Sequence, residues 1–339
     1  MDRPAKSMLR DPGLVTARDD WFARLESVFR GETQPDPFYL NGVYGSGSVN
    51  HLDDPALWTA QAVESLAERA DALCDTRVFR PLVVEYACFG VHFVDRILGA
   101  DVYDLDGAGN WQVRCLATPI GELHYPDLGR SETWRLARSA AEAFLDADVT
   151  VPLFALPTIA SSLNIALNLY GGDLLVAMHN DPDAARRDLR VINDLLRALH
   201  RWYIERIPPR QLQCVIGAHR TQPPGFGQIC GCSTQLLSPE LYRDFIAPLD
   251  AELLSVYPNG GMIHLCGGHT QPIPVWREMK ALRSIQVNDR AAGDLETYFH
   301  ELREDQVIYI NPCPEMPLER ALEITAGRRA VFVTEPPEG

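Results

Sequence analysis

Met262-Ile-His-Leu-Cys-Gly-Gly-His269 closes an apolar run with a histidine and a cysteine two residues apart. In an extended strand, residues two apart project from one face, so His264 and Cys266 can ligate a single ion. A second stretch, Ile310-Asn-Pro-Cys-Pro314, places Cys313 just past the apolar run Val307 to Ile310. Where these two runs fall among the others decides the fold.

Working outward, short apolar runs recur at Phe38 to Val43, Leu82 to Tyr86, Val151 to Leu156, within 213–232, Met262 to Cys266, Ser284 to Val287, Val307 to Ile310 and Ala330 to Val333. Amphipathic helices separate them. The clearest spans 182–206, with Asp181 as cap, Pro182 in the first turn, and Leu189, Ile192, Leu196, Leu199 and Tyr203 at helical spacing. Ser238-Pro239-Glu240 signals another start, and Asp294 and Pro317 two more. Strand-helix alternation argues for parallel strands with crossover helices. Pattern alone fits an open doubly wound sheet as well as a closed barrel.

The strand ends favour the barrel. His264 and Cys266 end the fifth run and Cys313 follows the seventh. In a parallel barrel, inward layers draw on alternate strands and functional groups gather at the C-terminal mouth. A histidine with two thiolates suits zinc, and three protein ligands leave a fourth position for substrate.

The 339 residues carry 31 basic and 46 acidic side chains, a net charge of −15, and the only lysines are Lys6 and Lys280. No basic stripe exists to neutralise a phosphate backbone, so neither nucleic acid nor an anionic membrane surface is an expected partner. The N-terminal segment lacks the apolar core of a secretory signal. The most apolar stretch, Val149 to Met178, is broken by Pro152, Pro157 and Gly171 and reads as a buried strand and helix rather than a membrane span. A cytoplasmic location follows, where the eight cysteines need not pair. Cys74, Cys88, Cys115 and Cys214 read as small buried side chains. With no repeat or linker, the chain divides only into an N-terminal helical extension, 1–36, and one α/β domain, 37–339.

Other candidates are individually weaker. Glu85, beside Tyr86 on the second run, faces the mouth or is merely exposed. Cys230 and Cys232 are two apart, so Cys232 is either a further ligand or a packed strand-end residue. Asp289 ends the sixth run, where it could complete a metal shell or cap the next helix. His269 reads as the start of a helix. His51, His92, His124, His179, His200, His219 and His300 show no pairing.

Met262-Ile-His-Leu-Cys-Gly-Gly-His-Thr-Gln-Pro-Ile273 resembles the His-x-Cys-Gly segment of methylcobamide:thiol methyltransferases within the uroporphyrinogen decarboxylase superfamily. Thr158 to Gly172, Asn180-Asp-Pro-Asp183, Gly90 to Ala100 and Cys232 to Tyr242 resemble other recurrent stretches of that superfamily, so that the likeness spans roughly residues 80 to 335. It implies a (β/α)8 TIM barrel in which His264, Cys266 and Cys313 correspond to the zinc ligands of the methyltransferase branch. It also implies a methylated corrinoid, carried on a partner protein, as methyl donor, and a small-molecule thiol or folate-like acceptor. Related chains carry acidic residues before the Cys-Ser-Thr segment, where this one has Gly231.

Porphyrinogen decarboxylation is the runner-up. The segment Pro37-Phe-Tyr-Leu-Asn-Gly-Val-Tyr-Gly-Ser-Gly47 lacks the arginine that resemblance to the decarboxylases would require, and unpaired substrate carboxylates are costly. A non-catalytic metal- or corrinoid-binding barrel is the third reading. Little chain follows the last run, so the outer face of strands eight and one, with Val331 and Val333, is expected to be covered by the helix around Asp20 to Phe29 or by a second subunit in a homodimer.

Overall fold

The structure, a computed structural model, describes residues 3–214 and 217–337. Among the described residues eleven strand pieces carry the parallel architecture: β1 (Phe38–Leu40) and β2 (Val43–Tyr44), β3 (Val78–Phe79) and β4 (Leu82–Glu85), then, past a hairpin of β5 (Asp101–Asp104) and β6 (Trp111–Arg114), β7 (Leu153–Ala155) and β8 (Leu212–Gln213). β9 (Gly227–Cys230), β10 (Gly261–Cys266), β11 (Leu282–Asn288), β12 (Val307–Ile310) and β13 (Ala330–Phe332) follow. Seven strands pair in the order β3-β1-β13-β12-β11-β10-β9 and four in the order β2-β4-β7-β8, every pairing parallel.

These two ladders share one seam. Tyr39 pairs with Val78 and Val43 with Leu82, so the register does not change between them. Asn41 N donates to Phe79 O at 3.0 Å and Val43 N to Pro81 O at 2.8 Å across the interruption. The expected first run, Phe38 to Val43, is thus two pieces separated by Asn41-Gly42, opposite Arg80-Pro81. Pro81 has no N–H to give, which interrupts the ladder without displacing it. Among the described residues the combined ladder ends at β8 on one side and β9 on the other. The expected fourth strand is these two separate pieces, because the chain between them turns onto the sheet's inner face.

That inner segment, with a single helical turn at Gly217–Arg220, lies against both halves of the sheet. A Cβ on Gly217 would stand 3.0–3.5 Å from Gln213, Ala155 and Val83 atoms, on β8, β7 and β4. From the other side the Tyr309 hydroxyl donates to Thr221 O at 2.9 Å, and Ser284 Oγ to Gln222 Oε1 at 3.1 Å. Gln213 Nε2 donates to Gln222 O and its Oε1 accepts from Gln222 N. Buried backbone needs partners, so this face carries Gln, Ser and Tyr at positions where aliphatic side chains would otherwise pack.

The helices start where expected: Asp181 caps Pro182–Ile204 by accepting from Ala184 N, and Ser238 caps the turn Pro239–Leu241 by accepting from Leu241 N. Asp294 precedes the helix Leu295–Glu301 without a side-chain cap, and Pro317 precedes Leu318–Thr325. No helix among the described residues is long and apolar enough to cross a membrane.

The helix Pro12–Phe29 does not lie where the sequence suggests. Trp21 stacks on Phe79 and meets Phe38 edge-on, both at 5.6 Å, while Phe29 packs on Phe226 at 4.7 Å and Tyr309 at 6.4 Å. Phe38 and Tyr309 each sit beside Val331 in the ladder and share its inner face, so the helix closes the N-terminal end of the sheet. Near strands eight and one runs the segment after β13, where Glu335 pairs with Arg80 at 2.6 Å and accepts from Asn41 at 2.5 Å. Of the cysteines expected to be buried, Cys88 and Cys214 are; Cys74 and Cys115 are exposed.

Candidate metal centre

Parallel pairing sets Cys230, His264, Gln286, Tyr309, Val331 and Phe38 side by side across the inner face. One level towards the C-terminal end, Cys266 pairs with Asn288. His264 and Cys266 therefore share the face that period-two geometry assigned to them. Cys232 arrives from β9: Gly231 N donates to His264 O at 2.8 Å, and the turn Cys232–Leu236 is pinned where Ser233 N donates to Asn164 Oδ1 at 3.1 Å. The ligand atoms of Cys232, His264 and Cys266 all lie within 4.8 Å of one another.

A neutral imidazole offers one lone pair, and its orientation is set by the other nitrogen. Gln286 Nε2 donates to Asn311 Oδ1, which turns Gln286 Oε1 towards His264 Nδ1 to accept its hydrogen. The Nε2 lone pair is left facing Cys266 Sγ at 3.1 Å and Arg220 Nη2 at 3.3 Å. His269, fully buried, uses both nitrogens on the loop: Nε2 donates to Cys266 O and Nδ1 lies against Thr234 Oγ1, each at 2.8 Å, while the Thr234 hydroxyl also reaches Gly231 O at 2.9 Å. Burial lowers the His269 pKa. Gly267, at φ +87°, lets the chain turn directly after Cys266, a conformation costly for any side chain.

The Cys232 thiol donates to His264 O at 3.9 Å beside Cys266. The pKa of Cys266 is pulled down, first by the neighbouring Cys232 thiol and then by His264 and Asn288 beside it, against the effect of burial. That of Cys232 is pushed up, first by the neighbouring Cys266 and then by burial. A thiolate is the form that binds metal, and a lowered pKa favours that form.

The remaining candidates are scattered along the same end. Cys313 stands outside the group: its turn folds back, with Cys313 N donating to Met316 O at 3.1 Å, and its thiol donates to Asp289 O at 3.5 Å. Asp289 is exposed, at φ +48° and ψ −132°, and its carboxylate accepts from Asn288 Nδ2 at 3.3 Å. Glu85, last in β4, is raised to about 7 by burial, with Arg220 opposing, and its Oε2 is buried without a protein partner. Arg220 and Gln286 are neighbours of His264 that sequence reading missed. A lone Arg or Gln carries no spacing signal; only the ladder and the inward segment bring them to His264.

Bonds of about 2.0–2.3 Å from a tetrahedral zinc can be met by ligand atoms this close, and two sulfurs with one imidazole are a donor set zinc accepts. The residues present fit that ion.

No family model matches the chain and no curated protein matches it. Among solved structures it is similar to a methyltransferase from Methanosarcina mazei, with a TM-score of 0.63 and 12% identity over 92% of this chain and 91% of that one. At that identity the likeness is one of fold: this chain is a mixed α/β protein with a parallel sheet whose architecture matches that methyltransferase over nearly its full length.

Proposed function

We propose that the chain is a zinc-dependent methyltransferase of the uroporphyrinogen decarboxylase superfamily, built on a closed (β/α)8 barrel. It would move a methyl group from a methylated corrinoid, presented by a partner protein in the cytoplasm, to a small-molecule thiol or folate-like acceptor. The observation that carries this reading is the convergence of Cys232, His264 and Cys266 at the C-terminal end of parallel strands. Closure of the barrel is supported by the inner segment, which touches β4, β7 and β8 on one side and β10, β11 and β12 on the other.

Bound zinc would act as a Lewis acid that lowers the pKa of an incoming thiol, so that the acceptor is a thiolate at neutral pH. The chain's own residues prepare for this. Gln286 presents the His264 lone pair, His269 holds the Cys266 backbone, and the neighbouring Cys232 thiol lowers the pKa of Cys266. Three protein ligands leave one position for the acceptor, whereas a non-catalytic zinc site is closed by four.

Geometry favours Cys232 as the third ligand, and the resemblance names Cys313. Zinc content separates them: Cys266→Ala should bind none, and Cys232→Ser should lose zinc while Cys313→Ser keeps it. Methylcobalamin with a panel of thiols then tests the activity. Demethylation of methylcobalamin by zinc-loaded wild type, absent in Cys266→Ala, is the expected result. Wild type that binds zinc yet transfers no methyl group to any thiol or folate would overturn it.

A further inference from the structure

Arg220 is nine-tenths buried, an unusual place for a guanidinium unless it is paired. Its Nη2 reaches His264 Nε2 at 3.3 Å, the nitrogen left free for a metal by the Gln286 bond. Its Nε and Nη1 are buried with no protein partner. Glu85 Oε2, close enough for Arg220 to act on the Glu85 carboxyl electrostatically, is also buried with no protein partner. Two unmet donors and an unmet acceptor thus share one interior while the guanidinium spends a hydrogen bond on the metal-ligating nitrogen.

We propose that Arg220 is a displaceable occupant of the metal site, which competes with the metal for His264 Nε2 and gives that nitrogen up to pair with Glu85. One lone pair cannot serve both a metal and an N–H donor, so occupancy of one excludes the other. A dication beside the guanidinium adds repulsion, and Glu85, whose carboxyl an approaching guanidinium would hold ionised, is the buried acid that can receive it. Zinc affinity then depends on two residues that are not ligands. This rests on the zinc reading above and goes beyond it.

The test is zinc alone, titrated into the metal-free full-length chain against a chromophoric chelator at fixed pH. Arg220→Met removes the competitor and should tighten zinc binding about tenfold or more, the scale of one hydrogen bond to a charged group. Arg220→Gln, which keeps a polar group, should tighten it too and carries the test if the Met variant does not fold. Glu85→Gln should weaken zinc binding in wild type by withdrawing the charged refuge, and should have no effect in the Arg220→Met background. Unchanged or weaker zinc binding by both Arg220 variants overturns the inference, as does a Glu85→Gln effect that persists in that background. Wild type that binds no zinc removes the metal centre itself, and this inference with it; wild type that binds zinc with no gain on losing Arg220 removes the inference alone.

Discussion

Gln286 fixes the orientation of the His264 imidazole on its strand. Its side chain is buried, bonded to His264 on one side and Asn311 on the other. Groups in this position behind a metal-binding imidazole change affinity by about 10–100-fold when removed. Gln286→Leu should therefore weaken zinc binding by that order and leave the fold in place, and Gln286→Glu, which keeps an acceptor, should recover most of it. A chelator-competition titration reads both, and wild-type affinity in Gln286→Leu would mean that the imidazole is oriented by something else. At this scale the sequence was legible only where a spacing rule applied. His264 and Cys266 follow from the two-residue period of a strand, and so does Cys230 beside Cys232. Cys313 was placed by the strand that precedes it, but the turn Asn311 to Met316 bends back on itself and aims the thiol at Asp289 O.

Among the elements, helix starts were the most legible, because a cap is a local contact between residues a few positions apart: Asp181 with Ala184, Ser238 with Leu241. Strand breaks were less so, since the interruption opposite Pro81 and the departure of the chain inward after β8 depend on neighbours remote in sequence. Equally unreadable was the buried Asp250 on the helix Ala247–Leu254, whose Oδ2 accepts from Tyr242 OH at 2.9 Å while that hydroxyl accepts from Trp276 Nε1 at 3.0 Å. Burial raises Asp250 from 3.8 to about 7, with the Tyr242 bond opposing. The folded chain therefore holds this proton over a window in which the unfolded chain has released it. Stability from this group is intact below about pH 4, falls as pH rises, and by pH 7–8 has dropped by roughly 4 kcal/mol. Asp250→Asn keeps an acceptor for Tyr242 and cannot ionise. Its stability relative to wild type should rise between pH 4 and pH 8, measured by urea unfolding at each pH. A constant difference across that range would show that the carboxyl is not protonated in the fold.

Across the whole molecule, the ends of the parallel sheet have opposite tasks. The C-terminal end gathers Cys232, His264 and Cys266, while the N-terminal end is sealed by the helix Pro12–Phe29, which the sequence marked as a helix without showing where it docks. Its three apolar anchors, Trp21, Leu25 and Phe29, are consistent with an outer or an end position; the aromatic rings they meet, contributed by β1, β3 and β12, select the end. Trp21 is 5% exposed, sits between Phe38 and Phe79, donates from Nε1 to Asp75 O at 3.2 Å, and carries the Arg24 guanidinium 4.1 Å above its ring. Removing a side chain so enclosed leaves a cavity and an unpaired carbonyl, and large-to-small changes of this kind cost about 3–5 kcal/mol. Trp21→Ala should lower unfolding stability by that amount, and Trp21→Phe, which keeps the ring stacked on Phe79, should lose distinctly less. Because the candidate metal centre lies at the other end, zinc affinity of the folded Trp21→Ala protein should stay within about twofold of wild type, as expected for distant sites without shared partners. Urea unfolding and a zinc titration on the same preparation check both halves. A loss below about 1 kcal/mol would mean that the helix is only loosely seated on the sheet, and a collapse of zinc affinity in a folded variant would mean that the two ends are mechanically coupled.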